Sequence, residues 1–449
     1  MSHTISPVPE HNDDKCRVCR ICWNQCPAEV LPELREEKDT LRGIVYSTGH
    51  KKGSGPRAAS PCQAACPLKQ DVSAYIAAIV KRDYEEALRI IRLTNPLPRV
   101  LGDICEHPCT KACTRGSYDN HIDIRGLKRF AARMGTSVSK EPPPFRPDST
   151  GMKIAVVGAG PAGLAASYNL ALKGHDVTIF DSEAEPGGLL RYAVPGFLLS
   201  REDLSSDIEY IMELGVNFKP STKVGRDIIL DSLMSEYDAV LLSTGAGIQG
   251  PTRLYSHDTA DGIVSGLELS RQLAAGKRPD LGSNVAVVGG FPEGLACARS
   301  ALRLGAREVR LVTSGKLNKI PLQELILADE EGVIICAEHI VQGLEYDNGL
   351  VLNLNRSGPD SDEALSILCD TVVIAQGRTK DLSCLSGLNG NKGWPTPLSL
   401  DLNKKNMALS NKGLFAAGEA VTGPKSTVRA VASGLKAAAG IDSFLSGQR

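Results

Sequence analysis

Short apolar runs recur along the chain from about residue 150 onward, and segments with helical spacing separate them. Buried parallel strands give such continuous apolar runs, and strands alternating with amphipathic helices are typical of an α/β fold. Six runs predict strands: KIAVVG, DVTIFD, AVLLSTG, NVAVVGG, EVRLVTS and DTVVIAQG. We therefore predict an α/β region with parallel sheets, beginning near residue 151.

The chain ahead of this region follows a different pattern. The stretch DVSAYIAAIVKRDYEEALRIIRL has apolar residues at helical spacing, and Asn95 and Pro96 end it. The stretches HKKGSGPRAASP and KEPPPFRPDSTG are rich in Gly, Ser, Pro and Lys, as linkers are. We expect a cysteine motif with its linker at 1–61 and a helical domain at 62–150.

The first α/β segment, MKIAVVGAGPAGLAASYNLALKGHDVTIFD, predicts a complete βαβ unit of a dinucleotide-binding fold. Its glycine-rich turn brings backbone amides and a helix N-terminus to a pyrophosphate, and an acid 18 residues beyond Gly163 can hydrogen-bond a ribose. This motif does not choose between FAD and NAD. The residues expected at the cofactor are Gly158, Gly160, Pro161, Ala162, Gly163 and Asp181.

A second dinucleotide-binding turn, GGFPEG, follows an apolar run about 130 residues after the first. It keeps Gly289 and Gly294, but Phe291 replaces the central glycine, and no acid for an NAD ribose follows the next strand. We expect NAD(P)H binding to be lost or weak here, with Phe291 large enough to fill the pocket. Binding of NAD(P)H through an altered geometry is the alternative.

Nine of the thirteen cysteines precede residue 114, which in a chain without a secretion signal favours metal ligation over disulfides. The stretch CRVCRICWNQCP fits the C-x2-C-x2-C-x3-C-P run of bacterial ferredoxins, whereas structural zinc favours paired C-x2-C units. We expect two [4Fe-4S] clusters, and one or three remain open. The candidate ligands are Cys16, Cys19, Cys22, Cys26, Cys62, Cys66, Cys105, Cys109 and Cys113. The other four cysteines are expected to be packing residues.

Charge and composition exclude several classes of function. Lys plus Arg number 51 and Asp plus Glu number 52, so no net field attracts nucleic acid or an anionic membrane. No stretch approaches the length of a membrane span, and the N-terminus lacks the apolar region of a secretory signal, so we expect a cytoplasmic protein. No acid-base constellation is evident, and no catalytic residue is assigned.

Four further motifs accompany the first nucleotide fold: EPGGLLRYAVPGF (185–197), LLSTGA (241–246), VVIAQGR (372–378) and FAAGEAVTGPKSTVRAVASG (415–434). In this order they resemble motifs of the glutamate synthase small subunit family, and the same module is similar to the N-terminal part of dihydropyrimidine dehydrogenase. The resemblance covers about residues 62–449. It implies two Rossmann-like domains: an FAD-binding domain at 151–252 and 375–449, and an inserted NAD(P)-binding-like domain, degenerate at Phe291, at 253–374.

The resemblance also implies individual roles. It makes Gly188, Leu189 and Leu190 flavin neighbours, puts a turn at Thr244 and Gly245 near the cofactor, directs Gly418 and Glu419 to the ribityl and pyrophosphate groups, and turns the helix amides of Thr427 and Val428 toward the flavin ring. The family's usual aspartate is Glu419 in this chain.

Two departures from this resemblance affect the iron-sulfur region. The C-x2-C pair expected just ahead of Cys62 is absent. A non-cysteine ligand in the related pattern falls at Lys128 or Arg129, and neither is suited to ligate iron. We infer that the run at 16–26 supplies missing thiolates or builds a separate cluster.

These features predict a flavin and iron-sulfur oxidoreductase subunit that passes electrons between FAD, [4Fe-4S] clusters and a partner subunit. The alternative is an active NAD(P)H:acceptor oxidoreductase subunit resembling the glutamate synthase small subunit. Either reading implies a hetero-oligomer, with ferredoxin as one candidate partner. A disulfide reductase is disfavoured because the α/β region contains no C-x-x-C pair.

Overall fold

A computed structural model of the chain describes residues 59–138, 147–249, 262–317, 320–346, 349–356, 364–385, 402–409 and 413–447. The chain divides into two compact units. The first comprises Met1–Pro186, Arg201–Ser243 and Ser383–Arg449, and the second comprises Gly187–Ser200 and Thr244–Leu382. The predicted cysteine run at 16–26 lies outside the described residues.

The helical segment contains short helices whose ends are set by capping side chains. Asp71 and Asp83 each accept a hydrogen bond from a backbone amide three residues later, and Arg82, in the short connection between the two helices, has a positive φ of 61°. The described helices are α1 (Pro61–Ala65), α2 (Val72–Val80), α3 (Tyr84–Arg92), α4 (Pro98–Ile104), α5 (Pro108–Lys111) and α6 (Ile124–Val138), with a 3₁₀ turn at Thr114–Ser117.

The α/β region begins after this segment. Its first elements, in chain order, are β1 (Lys153–Val157), α7 (Pro161–Ala171), β2 (Asp176–Phe180), α8 (Leu189–Tyr192), α9 (Arg201–Met212), β3 (Asn217–Lys219), α10 (Leu230–Glu236) and β4 (Ala239–Leu242).

The chain then builds the second unit and returns. The next elements are β5 (Ile248–Gln249), β6 (Ile263–Ser265), α11 (Gly266–Ala274), β7 (Asn284–Gly289), α12 (Glu293–Leu304), β8 (Glu308–Thr313), α13 (Leu322–Glu330), β9 (Val333–Ala337), β10 (His339–Tyr346), β11 (Leu350–Arg356), β12 (Ala364–Cys369), β13 (Thr371–Ala375) and β14 (Arg378–Thr379). After a 3₁₀ turn at Ser383–Leu385, the described chain ends with β15 (Leu414–Ala416), α14 (Glu419–Thr422) and α15 (Thr427–Ser446).

The first unit contains a five-stranded sheet with the order β15-β4-β1-β2-β3, and every neighbouring pair is parallel. In its central strand Val156 lies opposite Ile179 on one side and Leu241 on the other, and all three side chains are fully buried. Burial on both faces explains the continuous apolar runs in the sequence. The long helix α15 packs against α7.

The second unit repeats this architecture. Its five-stranded parallel sheet has the order β6-β13-β7-β8-β9, and an antiparallel meander of β10, β11 and β12 accompanies it. All six strands predicted from apolar runs are present in the two sheets, so the predicted α/β fold class with a preceding helical segment is confirmed. Cys297 and Cys369 are buried in the apolar clusters of this unit.

The chain passes from the first unit to the second near residue 244 and returns near residue 382, and residues 187–200 also belong to the second unit. The sequence predicts crossings at 252 and 375 instead, and that domain division stays a prediction. None of the described helices is long and apolar enough to cross a membrane.

Two buried aspartates on α9 join the helical segment to the first sheet. Asp207 is 1% exposed and accepts a hydrogen bond from the Val100 amide at 2.9 Å, and Asp203 is paired with Arg99 at 2.8 Å. Burial raises the pKa of Asp207 from its usual 3.8 to about 7, while the Val100 amide and Arg92 oppose the rise. Ionisation of the Asp207 carboxyl is therefore less favourable in the folded chain than in the unfolded chain.

We predict that Asp207→Asn makes stability less dependent on pH. Because the pKa of Asp207 is higher in the folded chain, folding takes up a proton between pH 3.8 and about 7, and stability falls as the pH rises through this window. Denaturant midpoints of the wild type and the variant at about pH 5 and about pH 8 measure the difference.

The matched control for this prediction is Asp227→Asn. Asp227 is fully exposed, and a hydrogen bond from Arg226 lowers its pKa to about 2, below the window. An equal pH dependence in the wild type and in Asp207→Asn would show that Asp207 does not titrate as described.

Candidate functional site

The turn between β1 and α7 has the geometry of a dinucleotide cradle. Gly158 has a φ of +103°, which only glycine adopts readily. A Cβ on Gly163 would lie 2.0 Å from the Gly158 carbonyl oxygen, so the helix approaches the strand as closely as a glycine permits. A Cβ on Gly160 would meet no atom within 4 Å, and its φ of −75° suits any residue. Gly160 therefore keeps space open in front of the helix N-terminus.

Asp181, directly after β2, lies beside this turn. Its carboxylate accepts hydrogen bonds from the Ala159 amide at 2.6 Å and from the Glu183 amide at 2.9 Å. Burial raises the pKa of Asp181, and these backbone amides oppose the rise. The carboxylate thus fixes the glycine-rich turn, and each oxygen keeps a second lone pair with which to accept from a ribose hydroxyl.

The C-terminal elements close the same edge of the sheet. Gly418 has a φ of +69°, and a Cβ there would lie 2.8 Å from the Ala162 Cβ. A Cβ on Gly434 would lie 2.0 Å from the Ala162 carbonyl oxygen, so α15 also approaches α7 closely. The side chain of Glu419 accepts a hydrogen bond from the Lys425 amide at 2.8 Å.

Helix α15 starts at Thr427 without a capping side chain. Ser426 precedes it, and its hydroxyl oxygen is buried with no hydrogen-bond partner among the described residues. The backbone amides of Thr427 and the buried Val428 are therefore left for a ligand or water, whereas the Arg429 amide donates to the Ser426 carbonyl oxygen. Open space at Gly160, close packing at Gly163 and these uncapped amides fit a bound dinucleotide such as FAD.

The other predicted flavin neighbours belong to the second compact unit. Gly188 precedes α8 with a φ of +54°, and Leu189 and Leu190 begin that helix. The Thr244 hydroxyl donates to the Asp381 carbonyl oxygen, and Gly245 has a φ of +78°. Their contact with a flavin stays a prediction.

Five of the nine candidate iron ligands are described, and all five are buried. Their exposed fractions are between 4% and 8%, at Cys62, Cys66, Cys105, Cys109 and Cys113. Short helices present them: α1 carries Cys62 and ends at Cys66, α4 ends at Cys105, and α5 carries Cys109.

Four of these five cysteines lie close enough to Tyr75 to influence its hydroxyl group. Burial first, and then the charges of Cys109 and three other cysteines, raise the pKa of Tyr75 well above its usual value. The Tyr75 hydroxyl donates to the Ile124 carbonyl oxygen at 3.4 Å, and the His107 amide donates to the Cys105 sulfur at 3.4 Å. Amide donors to sulfur are a feature of protein-bound iron-sulfur clusters.

Burial raises the pKa of the Cys109 thiol to about 11, and nearby Lys128 opposes the rise. Across the described residues, no three His, Cys, Asp or Glu side chains converge on a point where one metal ion would sit. A [4Fe-4S] cluster takes one thiolate on each of four separate irons, so its ligands are spaced more widely than those of a single ion. The five buried cysteines are compatible with thiolate ligation of such a cluster.

The second nucleotide fold keeps an open cavity of about 370 Å³ at the ends of β7 and β8. Phe291 lines this cavity and also packs against the apolar core of the unit. Part of the Phe291 side chain thus packs into the core, and its hindrance of a pyrophosphate stays a prediction. Ser314, Gly315 and Lys316 line the same cavity, and so does His339, which no sequence motif predicted there.

Two parallel sheets with glycine-rich turns, preceded by buried cysteines, define an oxidoreductase with an iron-sulfur domain ahead of two dinucleotide folds. Residues 152–434 match the family described as pyridine nucleotide-disulphide oxidoreductase, and residues 57–139 match the family described as dihydropyrimidine dehydrogenase domain II, 4Fe-4S cluster. The chain belongs to the pyridine nucleotide-disulphide oxidoreductase family. The family resemblance inferred from the sequence is confirmed.

Individual relatives agree with this assignment. The chain is 35% identical to the NADP(+)-dependent formate dehydrogenase subunit beta of Moorella thermoacetica over 88% of its own length, and it spans only 63% of that protein. It is 31% identical to the NADPH-Fe(3+) oxidoreductase subunit beta of Geobacter sulfurreducens, covering 94% of this chain and 70% of that one. Identity to the NAD-dependent dihydropyrimidine dehydrogenase subunit PreT of Escherichia coli is 31%, covering 86% and 92%.

A solved structure, FprA of Mycobacterium tuberculosis in complex with NADPH, superposes with a TM-score of 0.53. It covers 66% of this chain and 85% of FprA at 16% identity, which supports the fold alone. The expected oxidoreductase class is confirmed, and the cofactor classes of FAD, NAD(P) and [4Fe-4S] agree with the two matched families.

We predict that Gly160→Val lowers FAD occupancy without unfolding the protein. The new side chain enters the open space where the pyrophosphate is expected, and the φ of Gly160 accommodates it. Gly163→Val is the contrasting variant, because its Cβ collides with the Gly158 carbonyl oxygen and should disrupt the fold itself. Flavin absorbance per chain and circular dichroism of both variants test this. Full FAD in a folded Gly160→Val protein would mean that this turn does not bind the cofactor.

Proposed function

We propose that this chain is the flavin and iron-sulfur electron-transfer subunit of a larger redox complex. FAD held at the β1 turn exchanges electrons singly or in pairs, whereas [4Fe-4S] clusters carry one electron at a time. In this role the helical segment conducts electrons between the flavin and a protein partner that carries the terminal reaction. The subunit names of the relatives support a partner, and its identity stays open.

One observation carries this proposal most directly. Helix α4 ends at Cys105, and its first turn is fixed to α9 of the flavin fold by the Val100 amide on Asp207 and the Arg99 pair with Asp203. The buried cysteines and the glycine-rich turn thus belong to one compact unit. A fixed arrangement of the cysteines and the glycine-rich turn in one unit is consistent with electron transfer between the two sites.

NAD(P)H binding in the second unit is proposed to be weak. Helix α12 starts with Pro292 as its cap, which has no N–H, and the Gly294 amide already donates to the Gly290 carbonyl oxygen at 2.6 Å. Glu293 adds a carboxylate to the first turn, although Arg378 pairs with it at 2.8 Å. A pyrophosphate therefore finds fewer free donors here than a typical helix N-terminus offers.

The second candidate function, an active NAD(P)H:acceptor oxidoreductase, is favoured by the open cavity beside Phe291. The relatives' names mention NADP(+), NADPH and NAD, which supports the same reading. In this case NAD(P)H would bind with its adenosine end near Ser314 and Lys316, without the arginine pair that suits a 2′-phosphate.

We predict that protein purified without oxygen contains FAD and about eight irons per chain, as two [4Fe-4S] clusters require. Cys109→Ser should remove about four of these irons, because it deletes a ligand of the buried group. Cys336→Ser is the matched control, since Cys336 lies in β9 of the other unit. About four irons in the wild type would reduce the count to one cluster, and zinc in place of iron would exclude the iron-sulfur assignment.

We also predict that NADH and NADPH reduce the flavin slowly and without saturation at micromolar concentrations. Phe291→Gly alone should recover binding in part. Adding Ser314→Arg and Gly315→Arg should favour NADPH, because each charge-assisted hydrogen bond to a 2′-phosphate contributes roughly 1.5 to 3 kcal/mol. Gly315 has no positive φ that would oppose a side chain.

Anaerobic stopped-flow reduction of the flavin is the measurement. Rapid, saturable bleaching of wild-type flavin by low-micromolar NADH or NADPH would defeat the weak-binding proposal and establish the second candidate function. The electron-transfer role of the first unit would stand in either case, because the iron and flavin contents test it separately.

A further inference from the structure

Lys128 is a buried cation on the helix face that packs against the cysteines. Its side chain is 5% exposed, and it lies on α6 between Ile124 and Ala131, which are 2% and 0% exposed. Residues at i, i+4 and i+7 share one helix face. Ile124 and Ala131 belong to the same buried cluster as Cys62, Cys109 and Cys113. The Lys128 stem therefore enters the core in which the thiols lie.

The other basic residues of α6 have carboxylate or backbone partners. Arg133 pairs with Asp203 at 2.7 Å, Arg129 lies 3.7 Å from an Asp103 oxygen, and Arg125 donates to the Cys105 carbonyl oxygen at 3.3 Å. Lys128 forms no ion pair with a carboxylate in the described part of the chain. A buried ammonium without an anion is strongly unfavourable, so its site requires a negative charge that the described carboxylates do not supply.

The cysteines provide that charge once they are thiolates. Ile124 and Ala131, on the same face of α6 as Lys128, pack in one buried cluster with Cys109, so the Lys128 ammonium is placed to stabilise a thiolate there. A protonated lysine carries three donors and no acceptor, so it cannot replace a thiolate as an iron ligand. Its chemistry suits a neighbour of the cluster that donates to sulfur or stabilises the negative charge around it.

We propose that Lys128 is the internal counter-charge of the cluster that Cys109 ligates, and that its ammonium group raises the reduction potential of this cluster. This inference rests on the proposed function, which assigns a cluster to these cysteines. A cluster gains one negative charge when it takes one electron, so a fixed cation beside it stabilises the reduced form more than the oxidised form. In this role Lys128 places a positive charge beside the cluster and does not ligate iron.

The experiment uses the full chain, purified without oxygen with its cofactors, as wild type, Lys128→Gln and Lys128→Arg. Redox titration followed by electron paramagnetic resonance measures the potential of the cluster whose signal Cys109→Ser removes. We expect Lys128→Gln to weaken reduction at least tenfold, which is a shift of 59 mV or more toward negative potential for one electron. Lys128→Arg keeps the charge and should stay much closer to the wild type.

Lys111→Gln is the matched control, because it also removes one positive charge two residues from Cys109 but at an exposed position where water screens it. Its effect on the potential should be much smaller. An equal shift in Lys111→Gln and Lys128→Gln would mean that general surface charge, and not the buried ammonium, sets the potential, which overturns the proposal.

Loss of iron is also informative. Iron lost in Lys128→Gln but kept in Lys128→Arg supports the proposal, since lysine and arginine share the positive charge that glutamine lacks. Iron lost in both variants, or an unchanged potential in Lys128→Gln, overturns it. If the wild type itself contains no iron, the proposed function fails first; if wild-type iron is present and the potential does not move, only the role of Lys128 fails.

Discussion

The buried carboxylate of Asp207 holds the cysteine-bearing helices on the first nucleotide fold. It accepts from the Val100 amide at the start of α4, and Arg92 stacks 3.4 Å from the centre of the Tyr210 ring on the same helix as Asp207. Tyr168 of α7 adds a hydrogen bond from its hydroxyl to the Arg92 carbonyl oxygen at 3.2 Å. These contacts are buried and polar, so they require specific partners and permit little sliding between the helices.

This constraint links two cofactor-binding parts that are otherwise built differently. The cysteines sit on short helices with little sheet to support them, whereas the glycine-rich turn is part of a parallel sheet. A short helix alone is a poor scaffold, because its stability comes mainly from tertiary packing. The flavin fold therefore provides the rigidity that the iron-sulfur segment needs to keep its ligands in position.

The two nucleotide folds show how one architecture can differ in binding capacity. Both have a parallel sheet, a glycine-rich turn and a following helix, and both place a glycine where helix and strand come close, at Gly163 and Gly294. They differ at the central position, where Gly160 leaves open space and Phe291 carries a ring that packs partly into the core. Close helix packing is thus retained in the second fold, while the central position of its turn carries an aromatic side chain in place of glycine.

The sequence predicts the strands and the first glycine-rich turn because both follow from local patterns. Runs such as KIAVVG are apolar on both faces, and the close contact at Gly163 demands glycine wherever this unit occurs. The motif does not tell which glycine needs a positive φ. In the structure Gly158 has the positive φ, whereas Gly160 is in an ordinary extended conformation. Backbone geometry of this kind depends on the turn that forms and is not encoded in the spacing alone.

The positions of individual side chains in the folded chain could not be predicted from the sequence for a different reason. Lys128 reads as one more charged residue in DIRGLKRFA, and only the spacing from Ile124 to Ala131 hints that it lies on the buried face. The packing of Phe291 into the core and the approach of His339 to the cavity depend on residues far away in the chain. No local pattern contains that information.

The position of β15 and α15 in the chain has a consequence for folding. Strand β15 pairs with β4, and α15 packs against α7, yet residues 244–382 of the other unit are synthesised between β4 and β15. The first sheet therefore keeps an unpaired edge at β4 until ribosomes have translated past residue 413, although the entropy of closing so long a loop rises only with the logarithm of its length. Such non-local pairing is slow compared with helix formation. The nascent chain thus exposes an apolar strand edge during synthesis, a state in which edge-to-edge association competes with completion of the fold.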